Sequence, residues 1–503
     1  MKKHIERLRG MHDRLPEAYQ QQRWVMDRLS AFLAQAGYAP VDPPVLERSE
    51  LFQSSFGQEL WQNLYTFRLH HRDLCLRPEF TASICRLYLD HYLQHSLPLR
   101  FQYAGPVFRY EAPGRGRFRQ HTQLGVELFG GHTLSADAEI LQLACEALNE
   151  LAIPSYRLEL GHIGVASGFI NRLQLDDHAA RLLLSLMEQI SRSDEGEQLA
   201  QARLEVLYPT NRSGGSEMRL NSTGNIPGGD ARLLASLLSG ISVAFGSDDA
   251  RQEVVERYLW KMERSEQRRR ILDALEFLRA LHAISGSPPE VFGSLRDVLE
   301  RYEIDPQPLT ELEQLVAIIE QSGVTDQQML INLALGRGVS YYTGLVFEIH
   351  AQDEDGFDTQ LCGGGRYDNL LRAVGSTRDV NACGFAFGIE RLLPLVPLSD
   401  LPAVAITQAL VIPVGPYDLA YAFQVARIAR MRGMRVEVDV TGHGVGTGLK
   451  LATKKQVRLA LIVGDTEQQA TTVTLHDLVT GEERVLDLES LAGYVFRNEE
   501  QHL

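Results

Sequence analysis

Val107–Gly130 reads VFRYEAPGRGRFRQHTQLGVELFG. Apolar and polar residues alternate at both ends, the period-two pattern of half-buried strands. The centre, APGRGRFRQ, is rich in turn formers and arginine. The spacing predicts an antiparallel hairpin, one strand in FQYAGPVFRYE and the other in HTQLGVELFG, joined by a long functional loop. Arg115, Arg117 and Arg119 in that loop need an anionic partner or open water, and a guanidinium fork matches phosphate oxygens. Arg109 falls inside the first strand, where an unpaired charge is costly. Alternation sets Arg109 opposite Phe108 and Tyr110 and on the face of Glu111, either as an exposed ion pair or as a grip for a ligand.

Working outward, residues 17–37 place apolar positions at helical spacing and stop at Gly37. YAPVDPPVLERSELF reads as a strand punctuated by Pro43-Pro44. LCLRPEFTASICRLYLDHY reads as a strand end, a turn at Arg77-Pro78 and a helix. Another amphipathic helix covers 134–150, and YRLELGHIGV is a strand. From about 170 to 325 helical periodicity dominates, broken by the polar loop NRSGGSEMRLNSTGNIPGGD. Strand signals resume in LINLALGRGVSYYTGLVFEIHAQ, QLCGGGRYDNLLRAVG and ACGFAFGIERLLPLV. LPLSDLPAVAITQ resembles a linker. The rest alternates strand and helix and ends in a hairpin, TTVTLHDLVTGEERVLDL, the pattern of a small α/β domain with a largely parallel sheet.

A chain of 503 residues holds about two to four domains. Apolar residues make up 44% and charged residues 23%, an ordinary soluble balance. No apolar run is long enough to span a membrane, and the N-terminus lacks the apolar stretch of a signal peptide. Five cysteines without a CxxC pair argue against zinc or a disulfide framework, and are expected as small buried residues. The expected location is the cytoplasm and the expected metal ligand set is none. The net charge of −15 disfavours a general nucleic-acid coat but leaves room for a local basic patch.

Other segments carry chemistry. In LCLRPEFTASICR, Glu79 and Thr81 stand at the mouth of a strand, suited to an ammonium group or to capping the helix. In GVSYYTGLVFEI, Tyr341 and Tyr342 are expected on opposite sides of a strand, one in the core and one at a pocket. The three glycines of CGGGRYD allow a close approach by a ligand or strand, or make a tight turn. In GFAFGIERL, a buried Arg391 needs an anion: phosphate, or Glu390.

These segments together resemble the class II histidyl-tRNA synthetase family over nearly the whole chain except roughly 170–325. Val107–Gly130 resembles motif 2, VDPPVLERSELF the motif 1 region with its dimer interface, and GFAFGIERL motif 3. GRGVSYYTG and GGGRYD resemble the two histidine-specific signatures. The resemblance implies an α+β fold: an antiparallel class II sheet core over 1–168 and 328–398, a mostly helical insertion over 169–327, and an anticodon-binding-like α/β domain over 408–503. It implies that Arg109, Arg117 and Arg391 bind ATP and its phosphates, and Glu111, read beside Arg109, is counted with them in that ATP site. Glu79, Thr81 and Gln123 would bind the amino and carboxylate groups of histidine, and Glu127, Tyr341 and Tyr342 its imidazole. Arg337 would be the catalytic arginine.

Two roles remain. A paralogue in this family is the regulatory subunit of ATP phosphoribosyltransferase, which senses L-histidine at the first step of histidine biosynthesis. LELGHIGV, HTQLGVELFG, YYTGLVFE and GGGRYDNLL resemble its phrasing, and Ser340 stands where synthetases carry an aspartate. The favoured expectation is therefore this regulatory subunit, without a cofactor and partnered by a short catalytic subunit. The alternative is histidine--tRNA ligase, using ATP and Mg²⁺ and binding tRNA. Arg337 and the segment VEVDVTGHGVGTGLKLATKKQVRLALIVGD speak for the alternative. Lys450, Lys454, Lys455 and Arg458 would there meet RNA phosphate, or simply form a solvated helix face. Either role implies a homodimer or hetero-oligomer.

Overall fold

The computed structural model describes residues 4–53, 63–153, 155–175, 183, 268–333, 335, 341–402 and 407–491. It divides into two compact units, Met1–Pro402 and Ala403–Leu503. No described helix is long and apolar enough to cross a membrane.

The first unit is built on a nine-stranded sheet. From edge to edge it runs Ala39–Pro40, Leu99–Phe108, Gln120–Phe129, Ala382–Gly388, Asp358–Arg366, Leu345–Gln352, Arg157–His162, Met329–Asn332 and Ser285–Gly286. The strands pair antiparallel except for Ala39–Pro40 beside Leu99–Phe108 and Arg157–His162 beside Met329–Asn332. With its helices, this is the antiparallel α+β core expected of a class II synthetase fold.

Alternation divides the sheet into two unlike faces. Along Gln120–Phe129, Leu124, Val126 and Leu128 enter the main core. There they join Val25, Leu29 and Leu33 from helix Pro16–Gln35, whose buried positions recur at helical spacing. The helix stops before Gly37, which takes a left-handed φ of +86°. His121, Gln123, Gly125 and Glu127 point to the other face. Register sets Gly105 and Gly388 beside Gln123, and Gly384 beside Glu127. Gly363 and Gly365 follow across Asp358–Arg366. This face is therefore floored by residues without side-chain bulk. A Cβ at Gly384 would lie 2.0 Å from Glu127 Oε2, so glycine is required there. The three glycines of CGGGRYD lie in a strand, not in a turn.

Several elements differ from the sequence expectation. The first strand of the hairpin ends at Phe108, and the amide of Glu111 donates to Arg109 O at 2.9 Å. That tight turn ends the alternation expected to align Arg109 with Glu111. The strand predicted in YRLELGHIGV stops at His162, whose Nδ1 accepts from Gly164 N and caps helix Ile163–Arg172. Tyr341 and Tyr342 lie in a turn ahead of the strand that starts at Leu345, with ring centroids 4.9 Å apart, rather than on opposite faces. All five cysteines are free and buried. In the helical region, helices Pro288–Arg301 and Gln307–Gln321 are described, together with helical residues 268–282. The polar loop at 211–230 lies outside the described residues.

The second unit is a five-stranded sheet in the order Val436–Val438, Ala409–Pro413, Leu459–Val463, Thr472–Asp477 and Glu483–Asp487. The first three are parallel and the final hairpin adds antiparallel, so the sheet is mixed rather than largely parallel. Helix Leu419–Met431 and helix Val445–Lys454 complete it. Lys455 pairs with Glu437 and Arg458 with Asp477, while Lys450 and Lys454 are exposed.

Candidate active site on the glycine-floored face

At one end of the face the acid Glu127 is 1% exposed. Its Oε1 accepts from Thr81 Oγ1 at 2.7 Å and from Tyr103 Oη at 3.3 Å, and its Oε2 from the Tyr367 hydroxyl. Burial pushes its pKa up to about 8, against the pull of these donors and with help from the Glu79 charge. Glu79 is buried nearby. Its carboxylate accepts from the amides of Thr81 at 2.6 Å and Ala82 at 2.9 Å, so it caps helix Thr81–His91. Burial raises its pKa, and the capping amides and the Arg109 charge oppose that. The capping role and a place at the pocket therefore coincide. The Tyr341 ring stands 5.8 Å from that of Tyr367, edge to face.

At the other end stand three arginines. Arg109 Nε donates to Pro78 O at 2.9 Å. Arg391 Nε donates to Gly116 O at 3.1 Å, and its Nη1 to Gln360 O at 3.1 Å. Burial lowers the Arg391 pKa, and the charges of Arg109 and Arg117 lower it further. None of the three is ion-paired among the described residues. Glu390, the protein anion that could have satisfied Arg391, instead accepts from Thr122 N and pairs with Arg14. Glu111 and Glu348 are the carboxylates whose charges Arg391 feels. His121 shares this end. Burial first, then Arg109 and Arg391, push its pKa down to about 3, so its imidazole is neutral.

Between the two ends, Gln123 Oε1 is buried without a hydrogen-bond partner among the described residues. An orphaned buried acceptor between an acid end and a cationic end calls for a donor from a ligand. The structure thus brings Glu79, Thr81, Gln123 and Glu127 to one sheet face, and Arg109, Arg117 and Arg391 together at its other end. Arg337 and Ser340 lie outside the described residues.

The three loop arginines are not equivalent. Arg115 is taken by Asp353 and Asp355. Arg119 stacks 3.9 Å from the Tyr110 ring and donates to Glu111 O. Sequence reasoning passed over Tyr103, Tyr367, His121 and Arg77. Arg77 is 1% exposed, donates to Pro43 O and Pro106 O, and lies 3.8 Å over the Phe80 ring. Phe80 in turn stacks at 4.3 Å on Tyr103. Tyr367 was visible in GGGRYD, and His121 stands two positions from Gln123 at strand period.

The chain was compared with known proteins. The profile of the histidyl-tRNA synthetase family matches residues 10–221 and 229–392, and that of the anticodon binding domain matches 408–498. A histidine--tRNA ligase from Methanoregula boonei is 31% identical over 484 residues, covering 96% of each chain. One from Pyrococcus furiosus is 28% identical over 494 residues, covering 98% of each. Among solved structures, apo histidyl-tRNA synthetase from S. aureus aligns with a TM-score of 0.62 at 21% identity, covering 98% of this chain and 99% of that one. A Bacillus halodurans structure described as an ATP phosphoribosyltransferase regulatory subunit/histidyl-tRNA synthetase aligns at 0.61, also at 21% identity, over 92% of this chain and 99% of that one. At that identity both structures speak for the fold alone.

These findings correct the regulatory-subunit expectation. Relatives matched from end to end are histidine--tRNA ligases, which removes the support for a non-catalytic role in histidine biosynthesis and for a short catalytic partner subunit. The stretch LELGHIGV that pointed there has a local structural task. His162 caps a helix through Nδ1, and its Nε2 lies 3.5 Å from Glu311 on helix Gln307–Gln321. The chain belongs to the histidyl-tRNA synthetase family.

Proposed function

We propose that this protein is a histidine--tRNA ligase: it activates L-histidine with ATP and passes the histidyl group to tRNA. The observation that carries the reading is the trio Arg109, Arg117 and Arg391, without a carboxylate partner among the described residues, on the same sheet face as the buried acid Glu127. Three guanidiniums gathered without a carboxylate partner, one of them the partly buried Arg391 whose pKa the other two lower, are relieved by a polyanion, and a triphosphate supplies one.

In this reading Arg109, Arg117 and Arg391 hold the ATP phosphates and stabilise charge that develops as the histidine carboxylate attacks the α-phosphorus and pyrophosphate leaves. Gln123, Thr81 and Glu79 meet the amino acid's ammonium and carboxylate groups. Glu127, with Tyr103, Tyr341, Tyr342 and Tyr367 around it, receives the imidazole. Arg337, outside the described residues, is the catalytic arginine that the family resemblance implies. Mg²⁺ keeps several waters and takes one or two carboxylates besides phosphate. Glu111 and Glu348 are the residues that would hold it, and it would supply charge neutralisation on the triphosphate. The domain 408–503 would contact tRNA, while strand Ser285–Gly286 and helices Pro288–Arg301 and Gln307–Gln321, within the mostly helical stretch 169–327, pack with the sheet core.

The test is histidine-dependent ATP–pyrophosphate exchange followed by charging of tRNA-His. Both are expected. Arg391→Ala is expected to lower exchange by about a hundredfold or more, the usual loss when a positioned charge-stabilising group is removed. Absence of exchange in the wild-type protein would overturn the reading, and exchange without charging would redirect it to another acceptor.

A further inference from the structure

Arg115, unlike Arg117, is held by protein carboxylates. Its Nη2 lies 2.8 Å from Asp353 Oδ2 and 2.5 Å from Asp355 Oδ2. Its Cζ sits 5.4 Å from the Phe357 ring centroid, within cation–π range. All three partners belong to one turn, which links strands Leu345–Gln352 and Asp358–Arg366. That turn is firmly built. Asp353 Oδ1 accepts from the amides of Asp355 at 3.1 Å and Phe357 at 2.9 Å. Gly356 N donates to Asp353 O at 2.8 Å, with Gly356 at a left-handed φ of +76°. Asp353 therefore uses one oxygen to shape the turn and the other to hold Arg115.

The loop tip is equally defined. Gly114 and Arg117 exchange both backbone hydrogen bonds, at 3.0 and 3.2 Å, around Gly116 at φ +65°. Gly116 O is gripped by Arg391 Nε at 3.1 Å. Adjacent residues of the tip are thus fixed from two sides, Gly116 by Arg391 and Arg115 by the acidic turn. The same strand hairpin carries the acidic turn and supports Arg391, whose Nη1 donates to Gln360 O.

We propose that Arg115 is a positioning residue: clamped by Asp353, Asp355 and Phe357, it holds the arginine loop closed before substrate arrives, so that Arg117 stands with Arg391 and Arg109 at the nucleotide end. Neutralising Arg115 with two acids also keeps it from competing for phosphate, while Arg117 keeps its charge free. One exposed ion pair shifts an equilibrium by about fivefold at most. Here two carboxylates, an aromatic face and the neighbouring grip of Arg391 act on a single four-residue tip. Asp353 is the stronger anchor, since its side chain is 15% exposed against 74% for Asp355.

The kinetic part of the test rests on the ligase reading; the structural part does not. Amide hydrogen exchange over residues 114–118 is measured on the full-length, substrate-free protein as wild type, Asp353→Asn, Arg115→Gln and Arg115→Lys. Asp353→Asn and Arg115→Gln are expected to speed exchange in the tip about threefold to tenfold, while Arg115→Lys, which keeps the charge, stays near wild type. In pyrophosphate exchange, the same two variants raise the KM for ATP by a similar factor, with kcat and the KM for histidine little changed. Unchanged tip exchange in both variants overturns the proposal. So does an equal rise in both KM values, which marks general loosening, or an Arg115→Lys variant that behaves like Arg115→Gln. A wild-type protein with no pyrophosphate exchange sinks the ligase reading alone, because amide exchange still reports the clamp.

Discussion

Glu127 illustrates how one side chain can be held in an unusual ionisation state by its surroundings. Three hydroxyl donors, from Thr81, Tyr103 and Tyr367, favour its charged form, yet burial outweighs them and leaves its pKa at about 8. A carboxyl with a higher pKa folded than unfolded keeps a proton that the unfolded chain releases. Its contribution to stability is fully present below the usual carboxylate range, falls as pH rises toward about 8 and is flat beyond. His121 acts in the opposite sense at lower pH. Its depressed pKa means that the unfolded chain takes up a proton first, so its contribution is lost as pH falls below the ordinary histidine range. Comparison with Glu127→Gln separates the two. We expect wild-type stability in urea to decline relative to the variant by a few kcal/mol in order of magnitude between about pH 5 and about pH 8. Parallel pH profiles would show that Glu127 is already ionised in the folded protein. At this scale Glu79 and Thr81 stood out in a short segment whose chemistry is local, whereas Gln123 and Glu127 were reached only through the family resemblance. The division of labour among Arg115, Arg117 and Arg119 was not legible, because it depends on a turn more than two hundred residues away in the chain.

Between elements, the joint that matters most to the site is buried. Arg366, the residue before Tyr367, leaves strand Asp358–Arg366 and meets Asp137 on helix Thr133–Glu150, with both side chains under 5% exposed. Its Nε and Nη2 contact the two Asp137 oxygens at 3.1 and 2.6 Å, Nη2 also donates to Thr133 O, and Nη1 reaches Asp368. Removing Asp137 leaves the buried Arg366 charge with only the partly exposed Asp368, a loss of up to about 3–5 kcal/mol. Replacing both by apolar residues of similar size restores much of that. Asp137→Ala is therefore expected to destabilise by about that amount, and Asp137→Leu with Arg366→Met by much less. Urea unfolding of the two variants checks this, and a single variant that costs under about 1 kcal/mol would mean that water reaches the pair. Strand and helix identities were readable from periodicity, because that signal is local. Register was not. Tyr103 meets Glu127 only because Gly125 lies opposite Tyr103 and leaves it room. The aromatic run around Tyr341 also read as strand, although the pairing that makes the strand starts only at Leu345.

The whole molecule places two cores in one chain. In the second unit, Ala409 and Val411 face a cluster with helix Leu419–Met431, while Leu410 and Ile412 face one with helix Val445–Lys454. A sheet covered on both faces by its own helices satisfies its apolar surface internally, so residues 403–503 are expected to unfold cooperatively when expressed alone. The acidic groups on the glycine-floored face and the trio of arginines all belong to residues 1–402. If activation is confined to that unit, a 1–402 fragment keeps histidine-dependent pyrophosphate exchange within about threefold of the full chain and loses tRNA charging by at least about tenfold, the factor expected when a tethered second contact is removed. The charge pattern sharpens the expectation. The chain carries −15 overall, and in the second unit Lys455 and Arg458 are occupied by Glu437 and Asp477. Arg427, Arg432, Arg435, Lys450 and Lys454 are exposed there and available for phosphate. Each phosphate neutralised adds about one to the salt slope of binding. Lys450→Ala with Lys454→Ala should lower the salt slope of charging by about two while leaving pyrophosphate exchange intact. A fragment that charges as well as the full chain would move the RNA contact off the second unit, and a double variant with an unchanged slope would move it off Lys450 and Lys454.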